Sequence, residues 1–239
     1  MNKGTKKNIR IKKNKLNSKR KSLIQNAGSN NTKHNIKLYS FNYNSDNSSE
    51  QQLTNFLTKN STKAVKSDSN ETQIIFVTNF KDNGTGSHLY TRNSIQDKTI
   101  GIKILDDITS PFLLQKIEFK KYNENFILYG SINIPKIDGK NDVHIFNCYL
   151  NNKESTKKII DYLKDKLARR FHTKKNYIIF FNHNHNVANK MNNFPKAKFI
   201  NTNTNTNTII DNFAYISENL FKFLEEEKID DLRDLLNSK

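Results

Sequence analysis

Hydrophobic residues in this chain fall into short runs separated by long polar stretches, and the period of each run assigns an element. Ile36-Lys37-Leu38-Tyr39-Ser40-Phe41-Asn42-Tyr43 alternates in part and predicts a strand. Leu53, Phe56 and Leu57 lie at helical spacing and predict a short helix, with a polar loop over 59–72. Ile74-Ile75-Phe76-Val77 is a continuous apolar run, the pattern of a strand covered on both faces. Residues 81–98, with Gly84 and Gly86 among polar neighbours, read as a loop. Strands follow at 100–105, 114–120, 125–133 and 143–150, and Asn123 sits in a polar break that predicts a hairpin.

The strongest helical period covers 156–171, where Ile159, Ile160, Tyr162, Leu163 and Leu167 recur between charges. Another strand spans 177–181. Residues 186–208 read as irregular, ending in an Asn-Thr repeat over 201–208 that predicts a surface loop. A last strand over 209–217 precedes an acidic helix over 218–236, which carries Glu225-Glu226-Glu227 and Asp230-Asp231. One strong helix between buried strands in a mixed-strand chain predicts an α/β (α+β) fold: a two-layer β-sandwich flanked by helices.

Composition sharpens the picture. The chain has 239 residues, enough for one domain with a sizeable core. Mean hydropathy is low, −0.81, but 16 Phe and 9 Tyr supply a core. Residues 1–35 stand apart: Lys12, Lys13, Lys15, Lys19, Arg20 and Lys21 crowd together, and the first acidic residue is Asp46. Such a block repels itself and reads as a disordered basic arm ahead of a domain over 36–239. The arm reads as a nucleic-acid contact or nuclear-localisation cluster, or as a solvated tail; an organellar transit peptide is a weaker match. A net charge of +17 favours polyanionic partners, nucleic acid or a ribonucleoprotein among them. The single Cys148 excludes an intrachain disulfide and a multi-thiolate zinc site, which suits a reducing intracellular compartment, cytoplasmic or nuclear. No stretch reads as a membrane span, and the basic N-terminus lacks the apolar segment of a secretory signal.

The order of elements and the residues at the strand ends resemble the endonuclease/exonuclease/phosphatase superfamily, the fold of pancreatic deoxyribonuclease, over about residues 36–217. Ser40-Phe41-Asn42 resembles the family's first strand end, whose Asn helps hold a metal. The family's second strand end carries the principal ligand Glu; here Val77-Thr78-Asn79 puts an amide there. An Asn-Thr-His-Leu strand end becomes Asn147-Cys148-Tyr149-Leu150, with Tyr for the phosphate-contacting His. Gly-Asp-x-Asn becomes Phe181-Asn182-His183-Asn184, and an Ile-Asp strand end is matched by Ile210-Asp211. The terminal Ser-Asp-His motif has no counterpart, since no His follows His185.

The resemblance implies a degenerate member with vestigial positions Asn42, Asn79, Tyr149, Asn182, Asn184 and Asp211. Such enzymes hold divalent cations with hard oxygen ligands and activate water with an Asp/His pair. Replacing the ligand acid, the phosphate His, the orienting Asp and the base His removes groups that act as a unit, so hydrolysis is not expected. The expectation is an inactive phosphodiesterase-fold protein that binds nucleic acid or a ribonucleoprotein through phosphate contacts, with no cofactor. The alternatives are a magnesium-dependent endonuclease with unorthodox ligands from Asp211, Asp138 or Asp142, and a structural or interaction protein. His183 and His185 share a side of a strand end and read as exposed hydrogen-bonding groups or as a pair of metal ligands. Asp106-Asp107 reads as surface. Lys166, Arg169, Arg170, Lys174 and Lys175 cluster at the end of the main helix, where they complement its dipole or extend a phosphate-binding stripe toward the pocket rim, with His172 beside them.

Overall fold

A computed structural model describes residues 34–42, 51–58, 71–79, 94–97, 99–105, 114–134, 142–170, 176–182, 197–201 and 212–232. The chain divides into two units, Met1–Lys33 and His34–Lys239, and the first, which includes most of the basic arm, lies outside the described residues. The strands are β1 (Asn35–Asn42), β2 (Glu71–Thr78), β3 (Ser94–Asp97), β4 (Ile100–Leu105), β5 (Gln115–Tyr122), β6 (Asn125–Asn133), β7 (Asp142–Tyr149), β8 (Asn176–Asn182), β9 (Ala197–Asn201), β10 (Phe213–Ser217) and β11 (Asp230–Asp231). Helices are α1 (51–58), α2 (Lys153–Arg170) and the single turn α3 (Glu218–Phe221).

Two mixed sheets form, ordered β11-β1-β2-β4-β3 and β5-β6-β7-β8-β10-β9. Each contains a central parallel pair, β1 with β2 and β7 with β8, and a parallel pair needs a crossover. For β7 and β8 that crossover is α2, capped by Asn152, whose Oδ1 accepts from the Ser155 backbone N–H at 3.3 Å. Alternation along the strands divides their side chains between faces. Ile36, Leu38, Ile74, Phe76, Ile100, Ile102, Val143, Ile145, Ile178 and Phe180 fill the space between the sheets. Phe76 and Phe180 stack there with ring centroids 4.4 Å apart. The opposite face of the second sheet packs Phe146, Ile179 and Phe181 against Ile159, Ile160, Leu163 and Leu167 of α2. The opposite face of the first sheet packs Tyr39, Phe41 and Ile75 against Leu53 and Phe56 of α1. Gly130 faces β3 so closely that a Cβ would run into Ile95 and come within 3.0 Å of the Gln115 carbonyl.

The expected two-layer sandwich with flanking helices is thus present. Three local expectations change. Residues 94–97, expected to be loop, form the edge strand β3, and 197–201, expected to be irregular, form the edge strand β9. The expected helix over 218–236 stops at Phe221. Beyond it the chain turns to pair with the open edge of β1: the Ile36 N–H donates to the Phe223 carbonyl at 2.7 Å, and the Glu225 N–H to the Ile36 carbonyl at 3.0 Å. Lys37 fixes this arrangement by meeting Glu71 at 3.0 Å and Glu225 at 3.1 Å. Asp230-Asp231, expected on a helix surface, therefore forms β11, with Lys228 3.1 Å from Asp230.

One surface network ties β5 to α2. Glu118 meets Lys166 at 2.6 Å and Lys120 at 2.9 Å, and accepts from the Tyr162 hydroxyl at 2.7 Å. Burial pushes the Glu118 carboxyl up, but the hydrogen bonds from Lys166, Lys120 and Tyr162 outweigh it and hold it down at about 2. A carboxyl with a depressed folded value contributes stability above its unfolded value, about 4.3, and loses it as the pH falls toward the folded one. Chemical denaturation at stepped pH should show wild-type stability falling between pH about 4.5 and about 2, and Glu118→Gln should flatten that slope. Identical slopes would remove Glu118 from this role.

Candidate functional site

The two parallel pairs end at the same place. Asn42 of β1 lies opposite Thr78 of β2, and Tyr149 of β7 lies opposite Asn182 of β8. Between the sheets, each strand changes character toward its C-terminal end. Ile36 and Leu38 give way to Ser40 and Asn42, Ile74 and Phe76 to Thr78, Val143 and Ile145 to Asn147 and Tyr149, and Ile178 and Phe180 to Asn182. Because side chains two apart share a face, these polar groups extend the core's own columns and line the inner side of one end of the sandwich.

Hydrogen bonds draw them together across the gap. Asn147 is fully buried, and its Nδ2 donates to the Val77 carbonyl at 3.0 Å and to the Gly101 carbonyl at 2.8 Å, joining the second sheet to the first. The Asn182 Nδ2 donates to the Thr78 hydroxyl. Asn79 adopts φ 56°, a left-handed conformation that Asn tolerates better than most residues, and its Nδ2 donates to the Asn42 Oδ1 at 2.7 Å. Asn182 also holds the next turn, since its carbonyl accepts from the Leu150 N–H at 3.1 Å. Asn147 Oδ1 and Ser40 Oγ are buried with no hydrogen-bond partner among the described residues. Burial raises the Tyr149 phenol, and Glu124 adds to the shift.

Asn42, Asn79, Tyr149 and Asn182, far apart in sequence, thus belong to one mouth. Asn184 and Asp211 lie outside the described residues, as do Asp106, Asp107, Asp138, His172, His183, His185, Lys174 and Lys175, and Lys12, Lys13, Lys15, Lys19, Arg20 and Lys21 of the arm. Asp142 begins β7, at the other end of the strand that closes on Tyr149; at about 3.3 Å per residue the two ends are ~23 Å apart, so it supplies no oxygen to the mouth. Of the expected stripe of cations, the described backbone places only the helix end. Helix α2 leaves the mouth after β7 and returns to the start of β8, so Arg169 and Arg170 end it on the far side of the sandwich. Lys166 neutralises Glu118.

The described residues of the mouth are amides, hydroxyls and a phenol, with no carboxylate among them. Among the described residues no group of three or more His, Cys, Asp or Glu gathers anywhere, and the mouth offers neutral oxygens. Asn42 Oδ1 and Thr78 Oγ1 each already accept from an amide N–H. What the cluster can do chemically is donate and accept neutral hydrogen bonds.

Sequence reasoning missed Asn125, which is fully buried beside this end. Its Oδ1 accepts from the backbone N–H groups of Asn151 at 2.7 Å and Asn152 at 2.6 Å, and its Nδ2 donates to the Asn152 carbonyl at 2.7 Å. Asn123 donates to the Ser155 hydroxyl at 2.9 Å. The β5–β6 hairpin tip is thereby pinned to the start of α2. The one signal for it in the sequence is its place beside the hairpin break at Asn123.

No family model and no curated protein matches the sequence. Solved structures similar in fold include humanized D. rerio TDP2, at 10% identity and TM-score 0.46 over 74% of this chain and 82% of that one. Caenorhabditis elegans TDP2 in truncated form matches at 13% identity and TM-score 0.43, over 74% and 82% of the two chains. The Bacteroides thetaiotaomicron mannosyl-6-phosphatase matches at 13% identity and TM-score 0.43, over 77% and 84%.

Asn147 gives the site's structural test. Its amide N–H groups face two carbonyls, so an acid there must keep its proton to donate, and its folded pKa must rise. A raised carboxyl is stabilising below its unfolded value, about 3.9, and loses that stability as the pH rises through the folded value. Asn147→Asp should therefore lose stability relative to wild type from pH about 4 upward, by several kcal/mol at pH 7. A pH-independent difference would mean these bonds do not form.

Proposed function

We propose that this chain is a catalytically silent relative of the endonuclease/exonuclease/phosphatase superfamily, kept as a binding module for nucleic acid or a ribonucleoprotein through phosphate contacts. The observation that carries this reading is the mouth itself. The strand ends converge, yet where a hydrolase of this kind needs carboxylates the chain presents Asn79 and Asn182, each engaged with a neighbouring oxygen. Magnesium chemistry needs hard, charged oxygen ligands and an activated water, and a neutral amide supplies neither. The net charge of +17 supports a polyanionic partner, with the basic residues of the arm as the main phosphate contacts.

Two measurements test the reading. Purified full-length chain incubated with supercoiled plasmid or RNA and magnesium should leave both intact. Cleavage abolished by Asp211→Ala would establish the enzyme instead. Binding to an oligonucleotide should weaken steeply with salt. Replacing Lys12, Lys13, Lys15, Lys19, Arg20 and Lys21 by Gln should lower the slope of log K against log salt by about 4, if each meets one phosphate of a single strand. Release from heparin at low salt, with no oligonucleotide binding, would favour an interaction protein whose charge has no polyanionic partner.

A further inference from the structure

The inner face of the second sheet carries an aromatic row beside the mouth. Strand register sets Lys121 opposite Phe126, Phe126 opposite Tyr149, and Tyr149 opposite Asn182. Phe119 lies next to this row on β5, its ring 6.0 Å from that of Phe126 and inclined by 18°. Phe126 and Tyr149 are 6.1 Å apart. All three rings pack against the apolar core and are partly buried, with the remainder of each open to solvent. Two exposed lysines reach over them: Lys116 Nζ lies over the Phe119 ring, 5.8 Å from its centre, and Lys121 Nζ over the Phe126 ring, 5.8 Å from its centre. The platform is braced, because Asn125 and Asn123 fasten the hairpin that carries Phe126 to the start of α2.

Partly exposed aromatic rings interleaved with exposed lysines match one chemistry on two counts. Every nucleobase has a π-face that stacks on an aromatic ring without regard to sequence, and each nucleotide brings a phosphate for a lysine. A duplex keeps its bases stacked inside and cannot use the rings. We propose that Phe119, Phe126 and Tyr149, flanked by Lys116 and Lys121, form a stacking platform for the unpaired bases of single-stranded nucleic acid. This rests on the binding-module reading above and specifies where and in which form the nucleic acid is held. Glu124 is the opposing charge at the edge of the platform, held by the Asn151 Nδ2 at 3.0 Å, and weakens the approach of phosphate.

The test is fluorescence anisotropy of full-length protein with a labelled oligothymidine, an oligouridine of equal length and a duplex of equal phosphate number. Both single strands should bind more tightly than the duplex; a preference between them separates RNA from DNA as the natural source. Phe126→Ala should weaken single-strand binding by roughly 5- to 150-fold and leave duplex binding unchanged. Should circular dichroism show that Phe126→Ala fails to fold, the surface pair decides. Lys121→Gln should weaken single-strand binding and lower its salt slope by about 0.7, while Glu124→Gln should strengthen it. Equal binding of single strand and duplex, with Phe126→Ala or the surface pair without effect, overturns the platform and leaves the binding module standing. No binding of any of the three nucleic acids overturns both.

Discussion

The contact on which this end of the molecule depends is the bridge from Asn147 to the Val77 and Gly101 carbonyls. Below it the sheets meet through apolar side chains, down the stack of Phe76 on Phe180. At its level the filling between the sheets turns polar, and polar groups buried there need partners or they destabilise the fold. Asn147 meets that requirement at its Nδ2, which donates twice, at 3.0 Å and 2.8 Å, to the opposite sheet, while its Oδ1 accepts from none of the described residues. The bridge fixes the spacing at which β2 and β8 finish, and that spacing lets Asn182 reach Thr78.

The mouth's chemistry follows from charge type. A carboxylate at Asn79 or Asn182 would accept hydrogen bonds and leave oxygen available to a cation. An amide in the same place donates, so it satisfies Asn42 and Thr78 instead. The described members of the cluster are neutral, so they sit beside the lysines and aromatic rings of β5 and β6 without competing for them.

Much of this was legible in the sequence. The apolar runs at 74–77 and 177–181 marked strands covered on both faces, and the period of Ile159, Ile160, Leu163 and Leu167 marked the helix between two of them. The amides at the strand ends were visible as residues, although their mutual bonding needed coordinates. Edge strands were harder: β3 and β9 are short, each pairs on one side only, and Phe199 of β9 is left exposed, so their alternation is weak. The run after Ser217 has helical composition, yet the open edge of β1 offers Ile36 as a backbone partner to Phe223 and Glu225, and that long-range pairing overrides local propensity. The far placement of the end of α2 follows from its crossover between β7 and β8, a parallel pairing seen only in the fold. Asn125 stayed hidden because asparagine is abundant in this chain and only its burial sets it apart.

The central claim is that the converged strand ends hold one another through amide hydrogen bonds, and the proposed function adds that they take up no divalent cation. A crystal structure grown in manganese, with anomalous scattering recorded, tests it most directly. The account predicts Asn79 bonded to Asn42 and Asn182 bonded to Thr78, with no anomalous peak within ligand distance of any of them or of Asp211. A manganese ion bound by Asn42, Asn79 or Asp211 at the mouth would contradict it.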